Sequence, residues 1–206
     1  MKLTRLRTLV ECALMIALAI VLGMIPIYEG PYGGSVTLFS MVPLLIISFR
    51  HGLKWGLGCS FVYSIVNMFL GMKNLAYIPT AAGIIATVFL DYIIAFTVIG
   101  IAGMTRNLKI TKNDTANSLI NTFSGSLIAL VIRFACHIVS GAVIWYSLTQ
   151  GWYADDPTHI VHKYGAWMYS VVYNATFMVP EIVLTVIAVP VMIKLLGIAS
   201  KIRKNR

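Results

Sequence analysis

The chain has 206 residues, 59% of them apolar and 11% charged, with a mean hydropathy of +0.85. Soluble domains carry about 25% charged residues, so this composition excludes an ordinary soluble fold. The net charge of +9 comes from 16 Lys and Arg against 7 Asp and Glu, but the basic residues are spread over short connections, which argues against a nucleic-acid partner.

Hydrophobicity along the chain predicts six membrane spans, at residues 9–27, 36–49, 53–70, 79–104, 118–148 and 167–193. The expected fold is an all-α integral membrane bundle of six helices, forming a single domain over residues 1–206. Cys12, Cys59 and Cys136 fall in apolar runs without a C-x-x-C pair, a pattern of packing residues and not of a disulfide framework.

In the first span Ala13 and Ala17 lie one turn apart, making a shallow groove that lets another transmembrane helix approach closely. The following loop, Tyr28-Glu29-Gly30-Pro31-Tyr32-Gly33-Gly34-Ser35, combines aromatic rings with glycines and a proline. It reads either as a lid that closes an aromatic ring over a bound molecule or as a turn with interfacial tyrosines. The second span has 14 residues. That covers only ~21 Å of a ~30 Å hydrocarbon core, so it is expected to pack inside the protein or to begin partway down.

The fourth span carries Asp91 in Leu90-Asp91-Tyr92, twelve residues beyond Pro79. A buried carboxylate there favours a cation or hydrogen-bond donors, and a structural ion pair with Arg133 is the competing use. The fifth span, 31 residues long, places Arg133, His137 and Trp145 at four- and eight-residue steps on one broad stripe. A charge at membrane depth costs at least ~2.5 kcal/mol, so such a residue faces a partner, a cavity or a ligand. A tryptophan face also attracts organic cations.

After the fifth span, His159 and His162 accompany Asp155 and Asp156. Without a second spaced cluster this reads as a solvated loop and no metal is expected. The last span brings Tyr169, Tyr173 and Asn174 onto its outer half, suited to orienting a heteroaromatic ligand or to bonding another helix. Glu181 shares that face but follows Pro180, where it is expected to satisfy a locally broken backbone.

Thirteen of the Lys and Arg residues fall on one side of these spans, Lys73 and Lys163 on the other, and Arg133 within. The bias predicts that both termini are cytoplasmic. Asp91, Arg133, His137, Trp145 and the Tyr/Asn cluster together describe a pocket for a flat, positively charged, hydrogen-bonding solute. A membrane-embedded enzyme using His137 as base and Ser126 or Ser140 as nucleophile is the rival, and no G-x-S-x-G or H-E-x-x-H run accompanies it. A passive channel is disfavoured because no repeated ring of charges lines a pore.

Ala13-xxx-Ala17, Gly33-Gly34-Ser35-Val36-Thr37-Leu38 with Met41-Val42-Pro43-Leu44, Leu90-Asp91-Tyr92 with Ala95-Phe96, Arg133-Phe134 with Cys136-His137, Ser140-Gly141, and Tyr173-Asn174 with Pro180-Glu181 follow in that order. In these blocks the chain resembles the thiamine-specific substrate-binding subunits, or S components, of energy-coupling-factor transporters. The resemblance implies a bacterial plasma-membrane protein of six helices that binds thiamine in a pocket near the outer face, under a lid formed by the first outward loop. It implies a transmembrane coupling subunit and two ATPases as partners, with Ala13 and Ala17 facing the coupling subunit. By position it assigns ligand contacts to Asp91, Tyr92, Arg133, His137, Trp145, Tyr169 and Asn174, with Tyr32 offered for the lid. It implies no resident cofactor, thiamine being cargo. An S component for another vitamin is the alternative, anionic biotin being disfavoured by the acidic residue. There is no G-x-x-x-x-G-K-[ST] run, so a phosphate loop of its own is absent and energy must come from partners.

Overall fold

Many apolar side chains face outward in this protein, and a set of polar ones faces inward. Leu14, Leu18 and Val21, then Phe61, Phe69, Val183 and Ile187 are exposed, whereas Ser48, Ser60, Ser126, Asn121, Arg133 and Glu181 are buried. That inversion suits a lipid solvent, which accepts hydrocarbon and penalises every unsatisfied polar group. The computed structural model describes residues 2–31 and 33–204.

The elements are α1 (Lys2–Gly23), β1 (Pro26–Glu29), β2 (Ser35–Thr37), α2 (Val42–His51), α3 (Leu53–Leu70), a 3-10 turn (Met72–Tyr77), α4 (Ala81–Met104), α5 (Asp114–Trp152), α6 (Ile160–Lys163), α7 (Ala166–Ile187) and α8 (Val189–Lys204). Among the described residues α1, α3, α4, α5 and α7 are long and apolar enough to cross a membrane. The strands pair antiparallel, Tyr28 opposite Val36 and Glu29 opposite Ser35.

The expected second span is divided. Val36 and Thr37 belong to β2, Phe39 turns the chain with a left-handed φ of 63°, and α2 has only ten residues, with Pro43 in its first turn. At 1.5 Å per residue α2 covers ~15 Å, and Pro43 to Phe49 are all buried against α1, α3 and α4. Hydropathy cannot see this division because the apolar run is continuous through hairpin and helix.

The fifth span is longer than expected, 39 residues from Asp114 to Trp152, or ~58 Å. Asn113 caps it, its side chain accepting from the backbone N–H groups of Thr115 and Ala116. The expected sixth span, 167–193, breaks at Ala188 between α7 and α8. Pro190, just inside α8, has no N–H with which to continue the helical ladder. α4 starts two residues after Pro79, its first turn capped by the Thr80 hydroxyl, which accepts from Gly83 N–H at 3.2 Å. It packs tightly on α3, since a Cβ at Gly100 would collide with the backbone of Gly56 and Leu57.

The hairpin, the Met72–Tyr77 turn and the segment around Trp152 gather at one end. Glu29 pairs there with Lys73, and the Tyr77 and Trp152 rings lie 5.7 Å apart. At the other end Glu11 pairs with Arg50 Nε at 2.9 Å and lies 3.3 Å from His51 Nε2, with Arg106 donating to the Arg50 carbonyl.

Candidate functional site

A cavity of about 360 Å³ lies beneath the hairpin, between α3, α4, α5 and α7. This falls in the ~300–1,000 Å³ range of small-molecule sites. Asp91 is its acidic centre. One carboxylate oxygen accepts from His137 Nδ1 at 2.8 Å, and the other accepts from the Ser140 hydroxyl and from Trp145 Nε1, the latter at 3.0 Å. Three donors converging on one partly buried carboxylate hold it in a single orientation, as an ionised group with low solvent access requires.

Both helices that build this cluster widen into a π turn where they meet it, at Val88–Ile94 around Asp91 and at Gly141–Trp145. The second turn has a direct consequence. Eight residues of ideal α-helix rotate through about 800°, leaving Trp145 about 80° away from His137; absorbing one extra residue in a wide turn removes about 100° and restores alignment. Both side chains consequently reach Asp91. Regular α spacing alone would have swung Trp145 aside.

Arg133 sits one turn below His137, with 5% of its surface exposed. Its guanidinium carbon lies 4.3 Å from the centre of the Phe96 ring, and its Nε and Nη1 atoms have no hydrogen-bond partner. Among the described residues no ion pair joins it to Asp91; Asp91 pairs with His137 instead. Glu181 is the carboxylate whose charge acts on it. The structural-ion-pair alternative for Asp91 and Arg133 is therefore corrected, because the π turns give Asp91 to the upper cluster.

Tyr92, Arg133, His137, Trp145, Tyr169 and Asn174 all line the cavity with Asp91. Their polar atoms are partly committed to the scaffold. Tyr92 OH donates to the Gly71 carbonyl at 2.9 Å, and the Asn174 amide N–H groups reach the carbonyls of His137 and Ser170 at 3.2 and 2.9 Å. The Tyr169 and Tyr173 rings stack 6.1 Å apart. Tyr32 lies outside the described residues.

The hairpin contributes Pro26, Glu29, Gly33, Gly34 and Ser35 to the cavity wall. It is tied down by Tyr173 OH donating to the Gly33 carbonyl at 3.0 Å and by Lys73 donating to Glu29 at 2.7 Å. The hydrogen bond and charge of Glu29 hold the exposed Lys73 ammonium above its ordinary pKa of 10.5. Gly34 has a φ of +79° and packs so closely on Phe177 that a Cβ would enter the ring.

Phe177 was not singled out by the sequence, since an apolar residue in an apolar span carries no signal. Its ring meets His137 edge-on at 5.8 Å. Ser140, quoted in a family block and as a rival nucleophile but not as a site residue, does have a signal in its place one turn after His137. Glu181 neither lines the cavity nor repairs the Pro180 turn; its carboxylate accepts from Thr37 N–H and Thr37 Oγ1 at 2.8 and 2.9 Å.

The residues of the loop after α5 fulfil local roles. His159 stacks on Tyr153 at 3.7 Å and accepts from Val161 N–H, His162 Nε2 lies 2.7 Å from the Tyr153 carbonyl, and bonds from Thr158 hold the Asp156 carboxyl below its usual range. Among the described residues, no three His, Cys, Asp or Glu side chains gather in a metal-binding group.

Comparison with known proteins agrees with this architecture. Residues 9–199 match the family described as thiamine transporter protein. The chain is 33% identical to the thiamine transporter ThiT of Bacillus subtilis over 185 residues, covering 87% of this chain and 86% of that one. It is 25% identical to ThiT of Lacticaseibacillus paracasei over 193 residues, covering 92% and 88% respectively. The solved structure of ThiT from Listeria monocytogenes superposes with a TM-score of 0.66 at 26% identity, covering 93% of this chain and 96% of that one. The chain thus belongs to the thiamine transporter protein family.

Proposed function

We propose that this chain, a multi-pass transporter protein of a bacterial plasma membrane and not an enzyme, is the thiamine-capturing subunit of an importer. In this reading extracellular thiamine enters beneath the hairpin, which acts as a lid. The observation that carries it is the Asp91 carboxylate, oriented by His137, Ser140 and Trp145 inside an aromatic-walled cavity. A fixed anion among ring faces favours a planar organic cation, as in the thiazolium of thiamine, over neutral or anionic vitamins. Tyr169 and Asn174 add polar edges for the aminopyrimidine, and Arg133 bounds the inner end. Ser140 and His137 each bond Asp91 and not one another, which supports a scaffold role for both.

Delivery is assigned to a shared transmembrane coupling subunit and two ATPases, because the chain lacks a phosphate loop. Both termini are placed in the cytoplasm on the distribution of Lys and Arg. Ala13 and Ala17 are exposed on α1, and a bare small-residue groove supports close helix docking by the coupling subunit.

Tryptophan fluorescence of the purified protein tests capture, since Trp145 faces the cavity. Saturable quenching by thiamine, absent with riboflavin and biotin, is expected; no thiamine response from folded protein overturns the assignment. Ala13→Trp is expected to keep thiamine affinity and abolish uptake by cells, and loss of affinity in this variant would refute the docking role of α1.

A further inference from the structure

Glu181 is 2% exposed and lies outside the ligand cavity, yet it holds the connection of the hairpin to α2, the second of its two joins to the helical body. Its carboxylate accepts from Thr37 N–H at 2.8 Å, Thr37 Oγ1 at 2.9 Å and Ser40 Oγ at 3.4 Å. Thr37 is the last residue of β2, and Ser40 precedes α2 by two residues. Between them stands Phe39 with its φ of 63°, a backbone conformation that costs a side-chain-bearing residue stability and persists only when its surroundings over-determine it. The carboxylate thus grips both sides of a strained elbow. It reaches the elbow from α7, which also supplies Tyr173 to the Gly33 carbonyl and Phe177 to Gly34.

A buried carboxylate requires compensation. Glu181 has its three elbow donors and the electrostatic attraction of Arg133, whose guanidinium borders the cavity. The same carboxylate therefore stands between the cavity floor and the root of the hairpin.

We propose that Glu181 is a positioning residue that latches the Thr37–Ser40 elbow and so sets how long the hairpin stays closed over a captured ligand. This rests on the reading of the hairpin as a lid over a thiamine site. The latch is made whenever the hairpin is closed, so its loss speeds hairpin opening with or without ligand.

Two measurements on the purified full chain separate the latch from the lid reading. The first is backbone amide exchange without ligand. Glu181→Ala is expected to speed exchange in residues 26–37 about tenfold or more relative to α3 and α5, the loss of a buried charge-assisted hydrogen bond. Thr37→Val should give about threefold, as for one lost hydroxyl contact, while Thr37→Ser, which keeps the hydroxyl, stays near wild type. The second is the thiamine dissociation rate, expected to rise in the same order and by similar factors because departure needs the same opening. The double variant Glu181→Ala/Thr37→Val should be no worse than Glu181→Ala alone, because both remove one network.

Exchange rising uniformly over the whole molecule, or additive effects in the double variant, would overturn the latch. So would dissociation unchanged in a variant whose hairpin exchange has risen. If Glu181→Ala does not fold, Glu181→Gln and the Thr37 pair carry the same comparison. Wild-type protein that binds no thiamine would refute the functional reading alone, and the exchange measurement would still decide the latch.

Discussion

Replacing Asp91 by Asn removes one charge with almost no change in volume. The structure indicates how the site would absorb it. The Asn oxygen can keep the position that accepts from Ser140 and Trp145, while its NH2 faces His137 Nδ1. His137 accommodates this by exchanging tautomers, moving its proton to Nε2, which has no partner in the present arrangement. Packing is then preserved, and the main loss is electrostatic. A unit cation about 5 Å from the carboxylate at an effective dielectric constant of about 20 gains about 3 kcal/mol. Part of this is returned as lower desolvation, so thiamine binding should weaken by about 2–3 kcal/mol, roughly 30- to 150-fold. The assay is fluorescence titration of Asp91→Asn with thiamine and, in parallel, with an analogue whose thiazolium is replaced by a neutral ring. The charged ligand should lose affinity and the neutral one change less than about threefold. Equal losses for both, in protein whose thermal unfolding matches wild type, would refute a charge-based role and assign Asp91 to scaffold maintenance.

Gly34→Ala places a Cβ against Phe177 at a left-handed φ of +79°, so the hairpin should fail to seat. Thiamine dissociation is expected to accelerate about tenfold or more, consistent with ~1–2 kcal/mol of backbone strain plus the steric clash, and stopped-flow displacement checks it. The Glu29–Lys73 pair gives a pH signature. Because Glu29 raises the Lys73 pKa above 10.5, the clamp is fully present below the ordinary lysine value and is lost as pH rises through the higher folded-state value. Wild-type dissociation should accelerate over that alkaline window, and Lys73→Met should remove this component; the same pH response in both proteins would refute it.

Much of the candidate site was legible because polar residues inside apolar spans are costly and therefore informative. Asp91, Arg133, His137, Trp145, Tyr169 and Asn174 stand out on that ground, and all six line one cavity. Phe96 and Phe177 form its walls but do not stand out, since lipid-facing and cavity-facing phenylalanines look alike in sequence. Glu181 was visible as an anomaly without a role, because its partners Thr37 and Ser40 lie 144 and 141 residues away.

The sequence by itself determined the solvent, the family and the polar residues that must be sheltered, all properties carried by composition, local periodicity and short motifs. It did not determine where an unbroken apolar run stops being hairpin and becomes helix, as at 36–49, since transfer free energy depends on area and not on backbone direction. Nor could it choose Asp91's partner. His137 is 46 residues from Asp91 in the chain and Trp145 is 54, and two π turns bring them to that carboxylate in place of Arg133. Those turns depart from the regular period that a sequence reading must assume, and packing between α4, α5 and α7 holds them, so only the tertiary structure could decide which buried charge meets which partner.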